Sequence, residues 1–219
     1  MFKVLSVVLV LCALLAGGVV SSYRWMYPTY VVRYRLTVNA AVGEQRHSGS
    51  SVIEVLIKLQ PHFLPDMPPW GIRVRGEAVF VDLGESRNLV ALLNPERRKG
   101  KDCVIVLFDA FHVPIEPNHA VDLTIVRGER RVDAADWPAF ASFRDVANPR
   151  SIVPVDPAAI DSVLGSDVRI ESVTVSTTED PVTRRLGDAL PWIAGPDYRE
   201  IPALIERHFP IGAFKSDDP

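Results

Sequence analysis

Lys3 and Arg24 are separated by twenty residues that carry no charge, VLSVVLVLCALLAGGVVSSY. At about 1.5 Å per helical residue, such a run spans roughly the 30 Å hydrocarbon core of a bilayer. The chain is therefore expected to begin in a membrane, with residues 4–23 crossing the lipid. Trp25, Met26 and Tyr27 follow where an aromatic belt would hold a retained helix at the interface. A cleaved secretory signal is the alternative, because Val20 and Ser22 are small enough for a cleavage site and a short basic stretch precedes the run. The apolar run is longer than the usual signal core of roughly 7–15 residues, which favours an uncleaved anchor. Lipid attachment at Cys12 is disfavoured by the bulk of Leu11 before it.

Counting basic residues does not orient the anchor cleanly, since Lys3 stands on one side and Arg24, Arg33 and Arg35 on the other. Only three residues precede the apolar run, as in export signals, so the body is expected outside the cytoplasm: an inner-membrane protein with a periplasmic domain. The one cysteine beyond the anchor, Cys103, has no partner for a disulfide within the body. It sits in the apolar run CVIVLF and reads as an inert buried thiol. Net charge is −3 with acids and bases interspersed, which does not advertise nucleic-acid binding. The densest basic cluster, ERRKGKD at 96–102, lies between apolar runs and reads as a solvated turn.

Three regions follow: an anchor with its aromatic segment over 1–27, a β-rich body over 28–195, and a C-terminal short helix with a polar tail over 196–219. Residues 30–39 alternate, with Val32, Tyr34, Leu36 and Val38 on one face and Arg33, Arg35, Thr37 and Asn39 on the other. That is the period of a half-buried strand. A Val/Ile-rich run at 51–60 follows a stretch with turn chemistry, so the pair predicts a long antiparallel hairpin. The three prolines of HFLPDMPPWG force a loop, with Trp70 pinning it to the core. Runs 74–83 and 88–93 predict a second hairpin across GESR, and 103–108 and 121–126 read as further strands, six by residue 126. Asp156, Pro157 and Gly165 bound a short helix between strands at 151–155 and 168–176. A second short helix is expected over 201–208, and FKSDDP reads as a polar tail. The expected fold is mainly β, an antiparallel sandwich or partly open barrel with one or two short helices after the anchor.

No complete catalytic motif is present. His112, Glu116 and His119 share one proline-rich loop from which a metal site could be built, but their spacing matches no zinc signature, and Pro114 and Pro117 prevent helical presentation. Ser48, Ser50 and Ser51 beside His47 lack a nucleophile elbow and read as turn hydroxyls. Asp82, Glu85, Asp102 and Asp109 fall near expected strand ends, where two acids could pair as in a glycosidase. No P-loop or dinucleotide fingerprint occurs. These residues assign no catalytic, cofactor or metal site.

The segments YPTYVVRYRLTVNA (27–40), SGSSVIEV (48–55), GEAVFVDLGESRNLVALL (76–93), DVANPRSIVPVDPAAIDSVLG (145–165) and VTVSTTEDPVTRRLGDALPW (173–192) resemble a family of uncharacterised bacterial membrane-anchored β-rich proteins. The resemblance covers roughly half the chain. It implies a membrane-proximal β-protein and carries over no activity and no site residues. TEDPVTRR, residues 178–185, pairs acids with arginines in a loop and reads as a candidate partner contact. The leading functional expectation is a non-enzymatic interaction or assembly module whose exposed sheet edge accepts an unidentified protein. The alternatives are a tethered hydrolase with a loop-assembled site and a small-ligand or lipid-binding barrel.

Overall fold

A computed structural model describes residues 2–64, 66–94, 100–194 and 214–216, with the side chains of residues 2–11 and 215–216 outside that description. A helix, α1 (Phe2–Met26), opens the chain, and its side chains from residue 12 onward are exposed. Among the described residues no helix is long and apolar enough to cross a membrane. Most of the first half of the apolar run belongs to the part of α1 whose side chains are not described. The helix expected over 201–208 and most of the basic turn at 96–102 lie outside the described residues.

Two antiparallel sheets follow. The longest elements are β1 (Thr29–Val42) and β2 (Gln45–Leu59), paired from Thr29 with Lys58 to Val42 with Gln45. They sit with β3 (Trp70–Glu77), β6 (Glu129–Val132), β9 (Val168–Thr177) and β10 (Lys215–Ser216) in a six-stranded sheet of order β10-β3-β2-β1-β9-β6. The second sheet has order β4-β5-β7-β8, from β4 (Val79–Gly84), β5 (Arg87–Ala91), β7 (Phe140–Phe143) and β8 (Ile152–Val155). The alternation predicted for 30–39 holds: Val32, Tyr34, Leu36 and Val38 are buried, and the residues between them are half-buried. They meet Ile53, Val55 and Ile57 of β2, Val79, Val81 and Leu83 of β4, and Val173 and Val175 of β9 in the main core. Each such side chain contributes roughly 1.5–3 kcal/mol on full burial.

The second sheet is buried on both faces. Val90, Leu92, Ala141 and Phe143 turn away from the main core toward Leu190, Ile193 and Phe214, which cover that side with α5 (Leu186–Ala189). Phe143, Trp192 and Phe214 form an aromatic triangle with ring centroids 5.6–5.9 Å apart. The short helix predicted after Asp156 is present as a 3₁₀ turn, Pro157–Ala159, running into α4 (Asp161–Leu164), with the Asp156 side chain capping Ala158 N–H and Gly165 ending the helix.

Four expectations are corrected. The run 103–108 is a helix, α2 (Cys103–Ala110), because Asp102 caps it by accepting from Val104 N–H at 2.7 Å, and a run apolar on every side suits a buried helix as well as a buried strand. The run 121–126 is also helical, α3 (Asp122–Ile125), with Val121 C=O accepting from both the backbone and the hydroxyl of Thr124. The run 74–83 is two strands in two sheets. Gly76, at φ +153°, makes the corner, and a Cβ there would press on Ile53 Cα at 3.2 Å. The supposed polar tail begins with a fully buried Phe214, whose C=O accepts from Ala78 N–H before Lys215 and Ser216 pair with β3.

Candidate functional site

The outer face of the six-stranded sheet is built from the polar half of the strand alternation. Arg33, Arg35, Thr37 and Asn39 turn outward on β1, and the register continues this face through Glu54, Val52, Ser50 and Ser48 on β2 and Ser176, Thr174 and Ser172 on β9. Its middle is a row of short hydroxyls with one amide, Asn39, donating to Ser172 Oγ at 3.0 Å. Arginines border it. At one end Glu54, 4% exposed, accepts from Arg33 Nε at 2.7 Å and from Arg75 at 3.2 Å. A buried carboxylate between two guanidiniums is a fixed node, because removing either arginine strands charge in a poorly solvated place.

The 178–185 loop, expected as a partner contact, is in large part tied to its own body. Arg35 pairs with Asp180 at 2.6 Å, and Thr178 also donates to that carboxylate. The Thr178 hydroxyl and then Arg35 hold the Asp180 carboxyl below the ordinary carboxylate range. Thr183 accepts from Val52 N–H at 2.8 Å through its hydroxyl and donates its own N–H to Val52 C=O at 3.1 Å. Farther along, Glu77 Oε2 accepts from the N–H groups of Arg185 and Leu186, which caps α5. Glu179, Arg184 and Arg185 keep exposed side chains.

The histidine loop does not converge. His112, held at φ +54°, borders a cleft of about 300 Å³ with Asp109, Arg131, Asp133 and Asp136. His119 is not on that cleft and instead meets Asp122 Oδ2 through Nδ1 at 2.8 Å. Glu116 is exposed, and its backbone C=O accepts from His119 N–H as part of a turn. Among the described residues no three His, Cys, Asp or Glu side chains are grouped to hold a metal ion. Two of the cleft's acids are taken up by Lys101, whose Nζ donates to Asp109 at 3.0 Å and to Asp136 at 3.1 Å. Those two bonds raise the Lys101 ammonium above its usual value and commit both acids to it.

The other sequence candidates separate likewise. Ser48 and Ser50 face outward, whereas His47 and Ser51 face the interior, so strand alternation keeps His47 from its neighbouring hydroxyl. Asp82 accepts from Gly84 N–H at the β4–β5 turn and Glu85 pairs with Arg87, while Asp102 and Asp109 stay with α2. Burial pushes the Asp102 carboxyl up despite its bonds to backbone amides. Cys103 is fully packed, and burial together with the Asp102 charge drives its thiol far above the usual cysteine value. Its C=O accepts from the buried Tyr34 hydroxyl at 2.8 Å, so its place is structural.

Among the described residues the geometry therefore supplies a broad polar face and no assembled nucleophile, base and orienting group. The arginine alternation on β1 is readable from sequence; the hydroxyl rows of β2 and β9 join it only once the register is known. No known protein family, curated protein or solved structure matches this chain.

Proposed function

We propose that this chain is a single-pass envelope protein of the bacterial inner membrane, anchored by residues 4–23, whose periplasmic β-body is a non-enzymatic protein-interaction module. The observation that carries the reading is the asymmetry of the two sheets: the four-stranded sheet is covered on both faces, whereas the six-stranded sheet presents Thr37, Ser50, Ser172 and Thr174 between arginines on its outer side. A face of short polar side chains needs little ordering on association, and the Arg33–Glu54–Arg75 node beside it, two guanidiniums to one carboxylate, favours an acidic rim on the partner. Of the suspects for the hydrolase reading, His112 and His119 are apart, and the loop acids Asp82, Glu85, Asp102 and Asp109 each bond to a separate local partner. The carrier reading requires an open apolar lumen, and its lining candidates Leu36, Ile53 and Val81 are packed against one another at 0% exposure.

Photo-crosslinking in intact cells tests the interaction face. A photoreactive residue at Ser50 or Thr174 of the full chain is expected to give one discrete adduct, and Thr37→Glu is expected to abolish it. The same residue at the Glu44 hairpin tip should give none. Adducts at the tip but not on the face, or on neither, would overturn the reading.

A further inference from the structure

We infer that the body makes a second contact with the lipid surface beside the anchor, through Phe63, Leu64 and Met67 of the loop that follows β2. This rests on the anchored reading proposed above. Leu59 N–H donates to Pro28 C=O at 3.1 Å, so the loop leaves the body within two residues of the end of α1. Its tip is unusually apolar for water. Phe63 is 80% exposed and Leu64 61%, in a loop between two of the longest strands.

Several exposed apolar side chains of the body lie at this end. Val31 and Ile72 lie level with the start of β1 by strand register, and Ile125 of α3 is on the short helix that packs beside Val31, Val32 and Arg33. The far end of the β1–β2 hairpin is polar instead, with Glu44, Gln45 and Arg46 exposed. Exposed cations also lie at this end of the sheet, Lys58 on β2, Arg73 on β3 and Arg127 beside Val31, with Arg24 near the end of α1, the combination that suits an anionic bilayer surface.

The loop is braced for presentation. Gln60 Nε2 donates to Pro68 C=O at 2.7 Å, Gln60 N–H donates to Pro69 C=O at 2.9 Å, His62 bonds to Met67 C=O, and Met67 N–H donates to Leu64 C=O at 3.0 Å. Four internal bonds between Gln60 and Pro69 hold the described residues of the loop before they meet lipid, so insertion costs little further order. Phe63 and Leu64 then enter the boundary between headgroups and acyl chains, and the body is held at a fixed tilt by two points instead of one.

The test uses the full chain with Cys12→Ala, reconstituted into vesicles of phosphatidylethanolamine and phosphatidylglycerol with brominated acyl chains. An environment-sensitive fluorophore is placed through Leu64→Cys or, as a distant control, Glu44→Cys. The chain is expected to resist alkaline carbonate extraction, the Leu64 site to lose about half or more of its fluorescence as a residue roughly 5–10 Å into the boundary should, and the Glu44 site to lose none. Adding Phe63→Asp should restore the Leu64 signal while carbonate resistance persists. Carbonate resistance with an unquenched Leu64 site would overturn the second contact and leave the anchor standing. A blue-shifted but unquenched site would overturn it in favour of contact with a second copy. Extraction by carbonate would overturn both the anchor and the contact.

Discussion

At Gly49 the backbone of β2 runs so close to β4 that a Cβ would collide with the carbonyl oxygen of Phe80. The obstacle is main chain, which cannot rotate away. Gly49→Ala is therefore expected to lose about 1–3 kcal/mol or more, read as a lower urea midpoint. Gly43→Ala, at a tip with open space and φ +58°, should cost only about 1 kcal/mol through its backbone. Gly49 reads as turn chemistry in SGSS because the atom it must clear belongs to Phe80, far along the chain, and local spacing contains nothing of that meeting. The facing of Tyr34 and Leu36 was legible because it needs only the two-residue period of their own strand.

The elements divide by the same reasoning. The β1–β2 hairpin, β5, β8, the helix after Asp156 and β9 follow from alternation, caps and turns held within each segment. In α2 the apolar run is compatible with either conformation, and the Asp102 cap decides it. The final strand was illegible for another cause: FKSDDP is polar apart from Phe214, and only the pocket between Phe143 and Trp192 shows why that ring is inside. The C-terminal segment is consequently a structural closure. Phe214→Ala should lower stability by about 3–5 kcal/mol in chemical denaturation, as for other fully buried aromatic rings. A change below about 0.5 kcal/mol would return the segment to the status of a tail.

Across the whole molecule, acid response comes from carboxylates moved in opposite directions. Asp167, held low chiefly by Arg87, and Asp180, held low by Thr178 and Arg35, have folded values below those of the unfolded chain. Each contributes stability that is present above an ordinary aspartate value of about 3.9 and is lost as pH falls through its folded value. Asp102, raised by burial, acts with the opposite sign: stability is gained as pH falls through its raised value toward the ordinary one. Denaturation midpoints measured against pH should show Asp102→Asn without that gain and Asp180→Asn with a shallower loss in strong acid. The polar face was only half legible at this scale, since Arg33, Arg35, Thr37 and Asn39 mark one strand and the neighbours that complete it come from β9, more than a hundred residues later. The same central placement has a mechanical consequence. A pull arriving through α1 enters the body along β1, which is hydrogen-bonded to β2 over its full length and to β9 from Tyr34 to Val42. Because ladder bonds run perpendicular to the strand, that force shears the two flanking ladders together and does not unzip them bond by bond.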